Sequence, residues 1–258
     1  MPPIVLPDIV RPALGVEVPI GTIYDAKRDQ FLPASGLPPT PPEGVILASP
    51  CPIERQHEIT TSTGSSHAAR FAAMGIDPNL AASVLSGLIT PQGSGTFLTD
   101  GTSEKNILYG AVRHVYNTCQ ERLDLSPDLL DMLAYNTASM ADLGSAYIVV
   151  GVTYGLQSII TTKRHIKDSS NKEHVERIFQ HDLQAVYEIA KARHSYDFSD
   201  NTVNKRLTLE YELKLYTDVQ RECGINKQSL ALLFTFLQKR ATVGKDTPSH
   251  TACSQYNL

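Results

Sequence analysis

The chain has 258 residues, a formal net charge of −4 at pH 7, 41% hydrophobic residues and 19% charged residues. This length allows one large domain or two small ones, and the composition is that of an ordinary globular protein, not of a disordered chain or a polytopic membrane protein. The negative balance leaves no excess of lysine and arginine for phosphate contacts, which argues against a general nucleic-acid binder.

The first eight residues lack the basic segment and the unbroken apolar run of a secretory signal peptide. We therefore expect a cytoplasmic protein or one secreted by a leaderless route. The four cysteines lie tens of residues apart and include no C-x-x-C pair. This spacing predicts buried free thiols, and we expect neither a metal site nor a cofactor.

The first fifty residues contain most of the 16 prolines. Residues 18–25 predict a short strand, and the proline-rich stretch near 33–50 predicts an extended connector that cannot be helical. The sequence shows no internal repeat. We expect one domain over 1–258, ending in a flexible tail over 241–258.

Four helices are predicted from capping residues and apolar spacing. Asp77 can cap a helix that has Pro78 at its first position. Apolar residues then recur every four positions, at Ile76, Leu80, Val84 and Leu88. Ser126 can cap a second helix in the same way. Residues 173–193 predict a third helix, charged on one side, and residues 225–240 predict a fourth, which is apolar.

Three longer segments have the composition or alternation of strands. Residues 106–119 and 146–162 are rich in β-branched residues and are long for single strands. Residues 205–218 alternate strictly between apolar and polar side chains. With residues 18–25, these give four strands separated by helical blocks of tens of residues, which predicts an α+β fold, not a doubly wound parallel sheet.

No motif with a known chemical mechanism is present, so we expect no enzyme. The sequence His57-Glu58-Ile59-Thr60-Thr61 lacks the second histidine of a zinc protease helix. Gly93-Ser94-Gly95 lacks the third glycine and the preceding strand of a dinucleotide-binding loop, and a flexible turn accounts for it.

Residues 175–191 fit two periodic patterns at once. A helical period of 3.6 aligns one apolar stripe: Val175, Ile178, Phe179, Val186, Ile189 and Ala190. A strand period of 2 places another largely apolar set on one face: Phe179, His181, Leu183, Ala185, Tyr187 and Ile189. Residues 80–90 show the same ambiguity more weakly. A plain core helix, and a segment that is helical in one state and a membrane-crossing strand in another, both remain open.

Several short motifs, in their order and spacing, are similar to the opening domain of one toxin family. They lie at residues 11–15, 20–29, 31–33, 83–88, 93–100 and 147–155. On these motifs the chain resembles the stonustoxin-like N-terminal domain, a divergent branch of the membrane-attack-complex/perforin and cholesterol-dependent cytolysin superfamily, from about residue 10 to 240. The superfamily signature Tyr-Gly-Thr/Ser-His is retained only as Tyr154-Gly155, followed here by Leu156 and Gln157.

The resemblance implies a bent four-stranded antiparallel sheet flanked by two helical clusters, near residues 60–104 and 164–204. In pore-forming members these clusters refold into β-hairpins that join neighbouring subunits into a barrel. The implied function is therefore a pore-forming, cytolysin-type toxin that is membrane-associated when active. Its partners would be a lipid membrane and either further copies of itself or a related subunit, with no nucleic acid. A non-lytic assembly module with the same fold remains the alternative.

Alternation along the predicted hairpins assigns each side chain to a face. The lipid-facing residues would be Leu80, Val84, Leu88, Phe179, Leu183, Tyr187 and Ile189. The residues facing the pore lumen would be Gln180, Asp182, Gln184 and Glu188. Gly151 and Gly155 would let the central sheet bend, because glycine in a strand marks a kink or a close backbone approach.

Overall fold

A computed structural model describes residues 9–16, 18–52, 57–63, 66–100, 106–129, 131, 133, 146–166, 171–191, 210–218 and 253–257. The strands are β1 (Val10–Pro12), β2 (Thr22–Asp25), β3 (Gln30–Ser35), β4 (Ile46–Pro50), β5 (His57–Thr63), β6 (Ile107–Leu123), β7 (Ala146–Ile148), β8 (Gly151–His165), β9 (Glu212–Thr217) and β10 (Cys253–Asn257). The helices are α1 (His67–Ala73), α2 (Pro78–Leu85), the 3-10 helix η1 (Gly93–Leu98) and α3 (Lys172–Lys191).

The main sheet is built on the two longest strands, β6 and β8, which pair antiparallel from Ile107↔His165 to Arg122↔Gly151. β5 pairs with the first half of β6, and β9 pairs with the second half of β8. This part of the sheet is therefore four antiparallel strands wide, in the order β5-β6-β8-β9. Together with the helices it confirms the predicted α+β fold.

The other half of the main sheet is completed by short strands. β4 pairs with the end of β6, and β10 pairs with the start of β8. β1 lies outside β10. β10 falls within residues 241–258, where the sequence contains no alternation that indicates a strand.

A second, three-stranded sheet has the order β3-β2-β7. It explains why the single strand predicted over 146–162 is wrong. Residues Ala146–Ile148 pair with β2, and the chain crosses into the main sheet through Val149 and Val150 before β8 begins. Composition could not indicate this break, because both segments are equally rich in β-branched residues.

The predicted helix starts are confirmed. Asp77 caps α2 by accepting hydrogen bonds from the backbone N–H of Asn79 at 2.8 Å and of Leu80 at 3.1 Å. The Ser126 hydroxyl accepts from the N–H of Leu129 at 3.4 Å at the second predicted helix start. The third predicted helix is α3. The fourth, over 225–240, lies outside the described residues, as does the start of the strand predicted over 205–218.

The core of the described residues has three parts, and two of them cover opposite faces of the main sheet. One face packs against α1, α2 and η1, and the other packs against α3. The third part lies between the small sheet and the end of the main sheet that carries β4 and β10. The two helical layers therefore cover the four-stranded part of the sheet.

Candidate functional site

The first helical cluster, defined as α1, α2 and η1, packs on one face of the main sheet. Leu80 and Val84 of α2 are buried, as are Phe97 and Leu98 of η1. Together they cover four sheet residues: Tyr109, Ala111, Ile159 and Tyr216. Phe97 meets the Tyr216 ring edge-on, with 5.7 Å between ring centroids. Apolar burial therefore holds this cluster on the sheet.

Leu88, predicted on the same apolar face, is 65% exposed. The helix ends at Leu85, and the chain turns away through Gly87, which has a φ of +77°. A residue in this left-handed conformation is usually glycine, and it ends many helices. The spacing of four residues therefore correctly predicts burial within α2 but not beyond its end.

Helix α3 packs on the opposite face. Phe179, Leu183 and Val186 are buried against strand residues that include Val112 and Ile160. The helix approaches the sheet at Gly110, where a Cβ atom would lie 2.9 Å from a δ-carbon of Leu183 and 3.0 Å from Cζ of Phe179. The absence of a side chain at this position thus allows the close contact between α3 and β6.

Three of the predicted lumen residues lie on the exposed side of α3 and the fourth does not. Gln180, Gln184 and Glu188 are exposed, and the Gln184 amide donates to Glu188 at 2.8 Å. Tyr187, predicted to face lipid, is half-buried. For Ile189 the structure describes the backbone alone.

Asp182, the fourth, is fully buried. It lies on the sheet-facing side of α3 because residues three and four apart share a helix face, so it lines up with Phe179 and Val186. The Tyr211 hydroxyl donates to its Oδ2 at 2.8 Å, and the His181 ring lies 3.3 Å from its Oδ1. The helical period therefore places this carboxylate inside, whereas the strand period would place it opposite Leu183.

The two glycines predicted to bend the sheet occupy different environments. Gly151 begins β8 and lies between Arg122 and Asn257 in the strand register. At Gly155 a Cβ atom would lie 2.4 Å from the carbonyl oxygen of Tyr116. The register between β6 and β8 shifts next to this residue, so Gly155 lies at a β-bulge that requires a close backbone approach.

The Gly93-Ser94-Gly95 sequence is not the flexible turn that we predicted. It begins η1, and Ser94 is fully buried. The side chain of Gln157 donates to the Ser94 hydroxyl at 2.8 Å. Gln157 occupies the position of the histidine in the Tyr-Gly-Thr/Ser-His signature. Through its hydrogen bond to Ser94, this position contacts the first helical cluster directly.

Sequence reasoning missed Gly110 and also Asp218, whose carboxylate accepts from the backbone N–H groups of Ser94 at 2.8 Å and Gln157 at 2.9 Å. An isolated glycine inside a strand pattern was a usable signal, since such a residue often marks a close approach. Asp218 had no signal, because a carboxylate at the end of a predicted strand is common on protein surfaces.

Cys51 is buried and Cys119 is half-buried, and neither forms a disulfide bond. Burial raises the pKa of both thiols, so both remain protonated at neutral pH. Within the described ranges, no group of three histidine, cysteine, aspartate or glutamate side chains is placed to hold a metal ion. In the same part of the chain no helix has both the length and the apolar character needed to span a membrane.

Comparison with known proteins shows that the chain is similar in sequence to toxin subunits from two Synanceia species. The alpha subunit of stonustoxin from Synanceia horrida is 22% identical over 170 residues, which are 66% of this chain and 24% of that protein. The alpha subunit of neoverrucotoxin from Synanceia verrucosa is also 22% identical, again over 66% of this chain and 24% of the relative. A solved stonustoxin structure matches with a TM-score of 0.62 at 16% identity, over 97% of this chain and 31% of that one. No protein-family model matches.

The resemblance to stonustoxin inferred from the sequence motifs is therefore confirmed, and the chain has the α+β fold of the solved stonustoxin structure. The chain spans about a quarter of the length of the two relatives that it matches.

Proposed function

We propose that this chain is a perforin-like, pore-forming protein that assembles on membranes and converts its two helical segments into β-hairpins. The active form is membrane-associated, acts without catalysis and contains several copies of this chain or of a related subunit. The whole chain forms one domain in this proposal. The similarity to stonustoxin in sequence and fold supports this choice of function.

The observation that carries the proposal is the position of the helices in the chain. β5 and β6 are paired neighbours, joined at Thr63↔Gly110, and residues 64–106 between them contain the first helical cluster. β8 and β9 are paired neighbours, joined at Lys163↔Glu212, and residues 166–211 between them contain α3. Each helical segment therefore connects two adjacent antiparallel strands.

Unwinding either segment would lengthen an existing hairpin without breaking a strand pair of the sheet. Each segment divides into two arms of about 20 residues, and about 9–11 residues suffice for a membrane-crossing strand. Both new hairpins would continue from the same sheet, in register with strands that are already paired. Each segment is therefore long enough for a membrane-crossing hairpin, and the two hairpins would extend from neighbouring strand pairs of one sheet.

A hairpin that enters lipid as an open sheet would leave backbone N–H and C=O groups unsatisfied at its edges, at a cost of several kcal/mol each. Closure into a ring of hairpins removes the edges. The pore would therefore need several subunits, which is why oligomerisation is part of the proposal.

The inserted hairpins would use the face assignment made from the sequence. Leu80, Val84, Phe179 and Leu183 are buried against the sheet in the folded form and would exchange this contact for lipid. Gln180, Gln184 and Glu188 are already exposed to solvent and would face the water-filled lumen. For most of these residues the change preserves the polarity of the surroundings, and Asp182 is the exception because it is buried in the folded form.

A non-lytic assembly module is the second candidate, and one sequence observation favours it. Residues 192–203, the return arm of the second hairpin, contain four charged or titratable side chains: Arg193, His194, Asp197 and Asp200. A charge facing lipid at mid-membrane costs about 2–4 kcal/mol. Enough such charges on the lipid face would prevent insertion while leaving the fold intact.

A cross-link between α3 and the sheet tests the proposal. The double variant Gly110→Cys/Leu183→Cys places two cysteines at this contact. A Cβ at position 110 would clash with the δ-carbons of Leu183, and the cysteine at position 183 removes those carbons. The oxidised protein should bind mixed-lipid vesicles without releasing an entrapped dye. The same protein, once reduced, should release the dye and form rings in negative-stain images.

The reduced protein is the matched control, because it has the same sequence. Equal leakage from the oxidised and reduced forms would contradict the conversion of α3. Binding without leakage or rings from the native chain, across vesicles of varied composition, would favour the non-lytic module.

A further inference from the structure

The end of β9 and the start of η1 meet at a small polar network that is separate from the apolar contacts of the first helical cluster. Asp218 follows β9 directly and is half-buried. Its Oδ1 accepts from the backbone N–H of Ser94 at 2.8 Å, and its Oδ2 accepts from the N–H of Gln157 at 2.9 Å. One carboxylate therefore joins η1 to β8 at the point where β9 ends.

The Gln157 side chain continues this network. Its amide nitrogen donates to the Ser94 hydroxyl at 2.8 Å and lies 3.9 Å from the Met74 sulfur at the end of α1. Its amide oxygen accepts from Arg113 Nε of β6 at 2.7 Å. The network thus connects the first and last helices of the first helical cluster, α1 and η1, with the two central strands, β6 and β8.

The glycines on either side of Ser94 allow the contact. Gly93 has a φ of +51°, and a Cβ atom there would lie 2.7 Å from Oδ1 of Asp218 and 3.1 Å from its Cα. At Gly95 a Cβ atom would lie 2.9 Å from the carbonyl oxygen of Leu14. A side chain at position 93 would push η1 away from Asp218, and one at position 95 would push it away from Leu14, so the Gly-Ser-Gly sequence has a packing role.

We propose that Asp218 is a positioning residue that keeps the first helical cluster closed on the sheet by holding Ser94 and Gln157. η1 is the last helix of the cluster before β6, so this cluster cannot leave the sheet while η1 remains attached. Opening of the network is then a required step before the first hairpin can form. This role rests on the proposed function, but closure of the cluster in solution does not.

Local opening can be measured without a membrane by amide hydrogen exchange and mass spectrometry. Asp218→Ala should accelerate exchange in residues 67–98 by about tenfold or more, the factor given by loss of one hydrogen bond to a charged group. Ser94→Ala keeps the backbone N–H that donates to Asp218 and loses the hydroxyl that accepts from Gln157, so its acceleration should be smaller, about two- to tenfold. Exchange in α3, on the opposite face, should change little. Asp218→Asn keeps one oxygen acceptor, and its effect should lie between those of wild type and alanine.

Asp100→Asn is the matched control. Asp100 also connects the end of the first cluster to β9, through an ion pair with Lys214 at 2.8 Å, but this pair is partly exposed, at 25% for the Asp100 side chain and 47% for that of Lys214. Exposed pairs contribute little, so this variant should exchange like the wild type.

Unchanged exchange over 67–98 in both alanine variants would overturn the proposal, as would an equal acceleration in α3. An effect of Asp100→Asn as large as that of Asp218→Ala would also overturn it. If the chain releases no dye from any vesicle, the proposed function fails, while the exchange measurement still decides the role of Asp218. If the chain does release dye, both alanine variants should shorten the lag before leakage without changing its final extent.

Discussion

Asp182 is the residue whose surroundings differ most between the folded helix and the proposed strand. In the folded form it has no solvent exposure and accepts a hydrogen bond from Tyr211, whose hydroxyl lies 3.3 Å from Nη1 of Arg164. Burying a carboxylate is unfavourable unless it is well paired. In a strand, the side chains of Asp182 and Leu183 would point to opposite faces, and that of Asp182 would face water. Its burial therefore makes the docked helix dependent on these partners.

Removal of this carboxylate should destabilise the folded protein. We expect Asp182→Ala to lower the free energy of unfolding by about 1–3 kcal/mol, since it leaves the buried Tyr211 hydroxyl without its acceptor. Asp182→Asn keeps an acceptor and should cost less. In a double-mutant cycle measured by urea unfolding, Tyr211→Phe should matter in the wild type and have little effect beside Asp182→Ala. Full additivity of the two changes would contradict the contact.

Asp218 makes the folding stability of the chain depend on pH, and the sign of this dependence can be derived. Burial raises the pKa of this carboxyl group, although the hydrogen bonds from Ser94 and Gln157 and the charge of Arg113 act in the opposite direction. A raised pKa means that the folded state binds the proton more tightly than the unfolded state. The resulting stability is fully present below about pH 4 and is lost as the pH rises through the raised pKa.

The stability of the wild type relative to Asp218→Asn should therefore fall as the pH rises from about 4 towards neutrality. The asparagine variant is the control, because it does not titrate and otherwise shares the same ionisable groups. Urea unfolding of both proteins at each pH measures the difference. A relative stability that increases with pH would contradict the sign.

At the scale of elements, the sequence was sufficient where local chemistry decides the structure. Asp77 and Pro78 predicted the start of α2, and the helix predicted over residues 173–193 agrees with α3 to within two residues at either end. The alternation near the end of residues 205–218 corresponds to β9. In each case the signal lies within one segment of the chain.

The remaining features depend on contacts between distant segments. The division of residues 146–162 into β7 and β8 is decided by pairing with β2, which a single segment cannot reveal. The burial of Ser94 is decided by Gln157 and Asp218, which lie 63 and 124 positions away. The insertion of β10 between β1 and β8 is a third such feature. Of the candidate site, the two stored segments could be predicted, but the contacts that hold them could not.

The contact between α3 and β6 gives a prediction at this scale. Gly110→Val should destabilise the folded protein by about 1–3 kcal/mol, the usual cost of overpacking, because its side chain would meet Leu183 and Phe179. Thr61→Val, on the exposed neighbouring strand, is the matched control and should have little effect. In a Leu183→Ala background, Gly110→Val should cost much less, as measured by urea unfolding. An equal cost in both backgrounds would show that Leu183 does not pack at Gly110.

At the scale of the whole molecule, two helical layers cover the two faces of the same four strands. The first cluster and α3 lie on opposite faces, so each can leave without displacing the other. In the proposed conversion, the paired strands β5-β6 and β8-β9 would remain as the template. This separation would allow one chain to hold two prospective hairpins as helices.

The assembled pore should prefer cations modestly. Asp182 and Glu188 would place two carboxylates per subunit on the lumen wall, repeated around the ring. Lys191, at the end of this arm, and Arg193, at the start of the return arm, would lie by the turn at one rim and offset part of this charge there. Asp182→Asn/Glu188→Gln should reduce the cation preference in planar bilayers without reducing ring assembly.

Leu183→Asp is the contrasting variant, because it would place a charge in the hydrocarbon and should block insertion. If Leu183→Asp conducted normally while Asp182→Asn failed to insert, the two faces would be assigned in reverse and the strand register would be wrong by one residue.

The most direct test of the central claim follows the surroundings of α3 residue by residue. Single cysteines at positions 179–188, in a chain without its native cysteines, would each carry an environment-sensitive dye before and after addition of vesicles. In solution the signal should follow a helical period of 3.6. On vesicles it should change to a period of 2, with positions 179, 183 and 187 in lipid and positions 180, 182, 184 and 188 in water. A period of 3.6 that persists on vesicles after dye release would contradict the conversion of α3 into a strand.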